Sequence, residues 1–193
     1  MELIVGITGA SGVIYGIKIL DSLRQLGIRT HLVVSKAGER NIQLETTYPL
    51  QIVKDMASDF HECENIGASI ASGSYKTDGM VIAPCSIKSL SAIANSYNDN
   101  LLIRAADVCL KESRKLVLLL RETPLHAGHL ELMLKVARLG AIVLPPMPAF
   151  YNFPETIEDI VNHTTGKVLD QFGLEGSMFR RWKGENILVE KKT

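Results

Sequence analysis

The sequence has three cysteines, no surplus of either charge and no long apolar run, and each shortage narrows its function. Cys63, Cys85 and Cys109 are odd in number and share no paired spacing, so they encode neither a disulfide framework nor a zinc site. Lysine plus arginine and aspartate plus glutamate each total 21, for a formal net charge of zero. That balance gives no global pull toward nucleic acid or an anionic membrane, although a local basic pocket for a small anion stays open. It also permits close self-association. No uninterrupted apolar stretch approaches the roughly 18 residues of a membrane span. Glu2 stands where a secretory signal needs basic residues, and the apolar run behind it breaks at Thr8 and Gly9. A soluble protein of a reducing compartment, the cytoplasm, is expected. Histidines 61, 126, 129 and 163 lack metal-ligand spacing, so no metal is implied.

What is present is a chain of 193 residues, 46% hydrophobic and 22% charged, enough for one well-cored domain over residues 1–193. Short apolar runs alternate with segments of helical period. Strands are expected over residues 3–7 (LIVGI), 31–34, 80–83, 116–120 (LVLLL) and 141–144. Helices are expected from residue 13 to the Gly27 stop, from Ser35 to about Glu45, and over about 86–94, 101–112, 126–139 and 155–172. Residues 58–78, rich in Ser, Gly and Ala, read as mostly loop. Continuously apolar strands alternating with helices make an α/β fold: a doubly wound, three-layer sandwich around a parallel sheet. The tail over 173–193 carries Met178, Phe179 and Trp182 and is expected to pack on the domain or on a neighbouring subunit.

In such sheets ligands lie outside the carboxyl ends of the strands. Here those ends carry small, polar and charged residues. Gly9, Ala10, Ser11 and Gly12 open a helix and can present backbone amides to a phosphate, or can form an ordinary tight turn. No Gly-Lys-Ser/Thr follows, and glycines at 9, 12 and 16 do not make the dinucleotide fingerprint. The second strand ends in Ser35, where a nicotinamide site would want an acid for the ribose. A mononucleotide such as FMN fits better than NAD. Ser86, Ile87, Lys88 and Ser89 begin another helix and read equally as a hydroxyl-rich anion site or as an N-cap. Cys85 reads as an inert core thiol. Arg104, Asp107 and Lys111 share one helix face. Arg121 and Glu122 directly follow the most apolar strand, where a charged pair is placed for acid–base work. Tyr151 sits after three prolines, and Lys167 lies on the next helix.

Thr8-Gly9-Ala10-Ser11-Gly12, Val34-Ser35-Lys36, Pro84-Cys85-Ser86, Arg104-Ala105-Ala106-Asp107-Val108 with Lys111, Arg121-Glu122-Thr123-Pro124 and Phe150-Tyr151 stand in the order and approximate spacing of one family. The chain resembles the flavin prenyltransferases of the UbiX type, over roughly residues 1–182. The resemblance implies a flavodoxin-like fold that binds FMN. It implies transfer of a dimethylallyl group from dimethylallyl phosphate to N5 and C6 of reduced FMN. The product, prenylated FMN, would serve a UbiD-type aromatic acid decarboxylase. By the same resemblance Gly9, Ala10, Ser11, Ser35, Ser86, Ile87, Lys88, Ser89, Arg104 and Arg121 would hold FMN. Lys111, Arg121, Tyr151 and Lys167 would bind the prenyl phosphate, Glu45 and Glu122 would handle protons and phosphate contacts, and Trp182 would help close the site. The resemblance also implies a homo-oligomer, commonly a dodecamer, with sites at subunit boundaries. Cations that neutralise a leaving phosphate give Lys111, Arg121 and Lys167 an electrostatic task. The absence of an aspartate-rich run of the magnesium-binding kind is consistent with a metal-free route. Many members carry arginine where this chain has Lys167, so its phosphate contacts are expected to be monodentate and the substrate affinity weaker. The alternative is a non-catalytic FMN-binding accessory subunit of an aromatic acid decarboxylase.

Overall fold

The apolar runs form the centre of a six-stranded parallel sheet in the computed structural model, which describes residues 1–175 and 181–182. The strands are β1 (Glu2–Ile7), β2 (Arg29–Val34), β3 (Asp59–Glu62), β4 (Gly79–Cys85), β5 (Lys115–Leu120) and β6 (Ile142–Val143). Their spatial order is β3-β2-β1-β4-β5-β6. Without the edge strand β3 this is the flavodoxin-like order, and the direction of winding reverses between β1 and β4.

The seven α-helices among the described residues are α1 (Val13–Gln25), α2 (Lys36–Glu45), α3 (Leu50–Asp55), α4 (Ile87–Ala94), α5 (Leu101–Lys111), α6 (Ala127–Arg138) and α7 (Ile157–Gln171). Because strand side chains alternate, each strand feeds two cores. Leu3, Val5, Ile7, Val81, Ala83, Val117 and Leu119 pack with α1, α2, α3 and α7 on one face. Ile4, Met80, Ile82, Leu116, Leu118 and Leu120 pack with α4, α5 and α6 on the other. Full burial of each large aliphatic side chain is worth about 1.5–3 kcal/mol, which is why the strands read as unbroken apolar runs. Gly16 lets α1 lie directly on the sheet: a Cβ there would stand 2.3 Å from the Ala83 carbonyl oxygen.

The sequence misses three local features. Residues 58–78 contain β3 and a short 3₁₀ turn, Ser69–Ala71, rather than loop alone. Asp-Phe-His-Glu lacks strand-forming composition, and pairing in register with residues 31–34 of β2 determines its conformation. Polar side chains are normal on such an edge. α3, just after Pro49, is too short for its period to show. β6 keeps only two ladder residues of the expected four. Within the tail, Met178 and Phe179 lie outside the described residues. Arg181 forms a two-pronged ion pair with Asp170 on α7.

At the end of the sheet where the strands begin, a polar network ties β1, β2 and β3. The Tyr75 hydroxyl donates to Glu2 Oε1, and His31 Nε2 lies 2.5 Å from the same oxygen. Since a carboxylate only accepts, His31 donates from Nε2, and its Nδ1 meets His61 Nε2 at 2.9 Å. Burial first, then the His31 charge, depresses the His61 pKa below 6.5. The hydrogen bonds from Tyr75 and His31 depress that of Glu2 below 4.5. Below these ordinary values the unfolded chain binds more protons than the folded one, so stability falls as pH falls. Denaturant midpoints should therefore drop below about pH 6.5 and again below about pH 4.5. His61→Gln should reduce the upper step, to which the similarly depressed His163 also contributes; an unchanged step in urea titrations at several pH values would remove His61 as a source.

Candidate functional site

Thr8 closes the reversal point of the sheet. Its amide and hydroxyl both donate to the Pro84 carbonyl, and its hydroxyl oxygen accepts from the Ser86 amide at 2.8 Å. These bonds fix the ends of β1 and β4 side by side, and a cleft of about 490 Å³ opens beside them. One end of the cleft is the start of α2, where the Ser35 hydroxyl caps the Gly38 amide. The start of α4 lies across from it, with the Ser86 hydroxyl accepting from the Ser89 amide and 3.1 Å from the Ser89 hydroxyl. Both serines are thus N-caps, and both helix ends still direct their positive poles into the same space. Lys36 and Lys88 stand at the rim, ion-paired with Glu64 and Asp99 respectively. Ala92, Leu102 and Ile103 supply an apolar wall. A flat aromatic ring bearing a phosphate chain needs this combination of polar donors and apolar wall, so the residues present fit FMN.

The helix α1 end is different, because its amides already have an anion. Glu45 Oε2 accepts from Gly12 N at 2.7 Å and from Val13 N at 3.4 Å. Gly12 adopts φ 99°, a left-handed conformation that favours glycine. Asn41 donates to the Ala10 carbonyl at 3.1 Å, so α2 holds the whole 8–12 turn from one side. Ser11 and Glu45 are both exposed at this corner.

The other candidates are spread over the domain rather than gathered at the cleft. Arg104 donates to the Ala71 carbonyl and pairs with Asp107 at 3.0 Å. Lys111 ends α5 and pairs with the adjacent Glu112, beside Gly73. The first amide of α5 donates to the Cys63 carbonyl, at the carboxyl end of β3. Eleven residues of helix then carry Lys111 about 16 Å toward the opposite end of the sheet. Arg121 and Glu122 are exposed at the carboxyl end of β5, with Glu122 Oε1 accepting from the Thr123 amide. Tyr151, Lys167 and Trp182 belong to a third place, the outer side of α7. There the Tyr151 hydroxyl is 2.9 Å from His163 Nε2, and the Trp182 ring meets the Tyr151 ring edge-on at 5.7 Å. The thiols are poor nucleophiles: complete burial pushes Cys85 up to about 12, and burial raises Cys63 as well.

The Flavoprotein family profile matches residues 1–169. The flavin prenyltransferase UbiX of Thauera aromatica is 57% identical over 184 residues, covering 95% of each chain. This chain belongs to the UbiX-type flavin prenyltransferase family. A structure described as a dodecameric FMN-dependent UbiX-like decarboxylase from Escherichia coli O157:H7 superposes with a TM-score of 0.94 at 52% identity, covering 95% of this chain and all of that one. AnUbiX (PadA1), solved with FMN and dimethylallyl pyrophosphate, also gives 0.94 at 46% identity, covering 95% of this chain and 97% of that one.

In this flavin prenyltransferase several residues at these places are not among the sequence candidates. Lys36, Cys63 and Asn100 line the cleft, and His163 partners Tyr151. Cys63 and Asn100 are brought in by β3 and the start of α5. His163 is distinguished only by its spacing of four residues from Lys167 on α7.

Proposed function

We propose that this chain transfers the dimethylallyl group of dimethylallyl phosphate to N5 and C6 of reduced FMN. The cleft at the β1/β4 reversal carries this reading, lined by two helix N-termini and an apolar wall. The amides at the starts of α2 and α4, with the Ser86 and Ser89 hydroxyls, hold the flavin phosphate. Reduced FMN, when bound, supplies the nucleophilic nitrogen. Glu122, free of any ion pair among the described residues, moves a proton at the carboxyl end of β5. Arg121, Lys111 and Lys167 neutralise charge on the departing phosphate and release the allylic carbon without a divalent cation.

One chain does not gather these groups. Lys111 is at the far end of the sheet from Glu122, and Tyr151, Lys167 and Trp182 are on the outside of α7. Assembly of several copies would bring them together. Exposed Leu130, Leu134, Met147, Phe150 and Ile157, 51–81% accessible, supply apolar surface for that assembly. Sites shared between neighbouring chains, arranged as a dodecamer, account for both observations. The prenylated product then serves a UbiD-type aromatic acid decarboxylase in the cytoplasm; no described helix is long and apolar enough to cross a membrane.

The test is anaerobic incubation of the protein with reduced FMN and dimethylallyl phosphate, followed by mass spectrometry of the extracted flavin. A flavin heavier by one five-carbon unit, formed equally well with EDTA present, is the expected product. Unaltered FMN with the phosphate still esterified would leave the accessory flavin-binding role as the better account.

A further inference from the structure

The outer face of α7 carries a cluster of side chains that the cleft does not use. His163, Lys167 and Asp170 follow one another at helical spacing. Tyr151 approaches His163, Arg181 bridges to Asp170, and Trp182 covers the Tyr151 ring. His163 is only 6% exposed, and its ring meets the Tyr151 ring edge-on at 5.7 Å. Burial first, then the neighbouring Lys167 charge, lowers its pKa below 6.5, with Asp170 opposing, so the imidazole is neutral near pH 7.

A neutral imidazole has one N–H and one lone pair, and which of them faces the phenol determines what Tyr151 can do. If Nε2 accepts, the phenolic proton is used internally and only oxygen lone pairs face outward, toward an anion they would repel. If Nε2–H donates, the phenol oxygen is held as acceptor and its proton remains free to point at a phosphate oxygen. The second arrangement suits the company of Lys167, whose charge favours an anion at the same corner.

We propose that His163 is the positioning residue for Tyr151, donating Nε2–H to the phenol oxygen so that the phenolic proton is presented to the phosphate of the prenyl donor. This rests on the function proposed above. His163 holds the phenol oxygen in the absence of ligand, and Trp182 packs edge-on against the Tyr151 ring. The role concerns affinity for the phosphate rather than the bond-making step, because Tyr151 contacts the anion and not the reacting carbon.

His163→Phe keeps an aromatic ring of similar size and removes the hydrogen bond. It should raise KM for dimethylallyl phosphate about fivefold, the effect of one neutral hydrogen bond, with kcat nearly unchanged. His163→Gln, whose amide can still donate, should recover most of that loss. In a Tyr151→Phe background His163→Phe should add nothing further. Imidazole ¹⁵N NMR of the wild-type protein should show His163 protonated at Nε2. A KM unmoved by His163→Phe, a penalty that multiplies with that of Tyr151→Phe, or a proton on Nδ1 instead would each overturn the assignment. If the wild-type protein failed to prenylate FMN, the proposed function would fall, while the NMR experiment would still decide the His163–Tyr151 bond.

Discussion

Glu122→Gln should lower the rate of flavin prenylation by about 10²–10⁴-fold, the usual loss for a placed acid–base group. The amide oxygen of glutamine can still accept from Thr123 N, so the turn after β5 keeps the bond that Glu122 makes there. FMN affinity should change little, because the caps at the starts of α2 and α4 are made by Ser35 and Ser86 and do not involve the Glu122 carboxylate. Only the ability to carry a proton, and one negative charge, is removed. Single-turnover measurement with reduced FMN isolates this step from product release. A variant working within tenfold of the wild type would take Glu122 out of the proton-transfer role.

The second large effect concerns two inactive proteins that should rescue each other. Lys111→Ala and Glu122→Gln are each expected to prenylate poorly when pure. Co-expressed with different tags and purified as a mixed assembly, they should recover activity at about a quarter of the sites, as random pairing across an interface predicts. The reason is geometric: α5 carries Lys111 away from the carboxyl ends of the strands where Glu122 stands. In a mixed assembly some sites combine an intact Glu122 from one copy with an intact Lys111 from another. A mixture no more active than its parents would mean that both groups act within one chain.

Most of the sheet was legible because its strands are buried on both faces. LIVGI and LVLLL have one plausible conformation once flanked by turns and helices of opposite period. β3 was not legible, since Asp59 and His61 gain partners only after Arg29 and His31 lie beside them. The site divides in the same way. The turns at Gly9, Ser35 and Ser86 could be found because an α/β sheet puts ligands at the carboxyl ends of its strands. The acceptor at the α1 end, Glu45, lies 33 residues from Gly12, and no local pattern joins them. The resemblance assigned Lys111 and Tyr151 to one site, but their positions on different sides of the domain depend on the helix directions, which the sequence pattern does not reveal.

Because Glu45 caps α1 with its own carboxylate, the 8–12 turn has a resident anion from the moment the chain folds. A glycine-rich loop without such a guest samples many shapes, and a ligand that orders it loses affinity in doing so. Here that entropy is already spent, so flavin meets a turn that is rigid beforehand. The internal guest also sets a preference among helix ends. With the pole of α1 neutralised from inside, the poles of α2 and α4 would attract an incoming phosphate more strongly than that of α1.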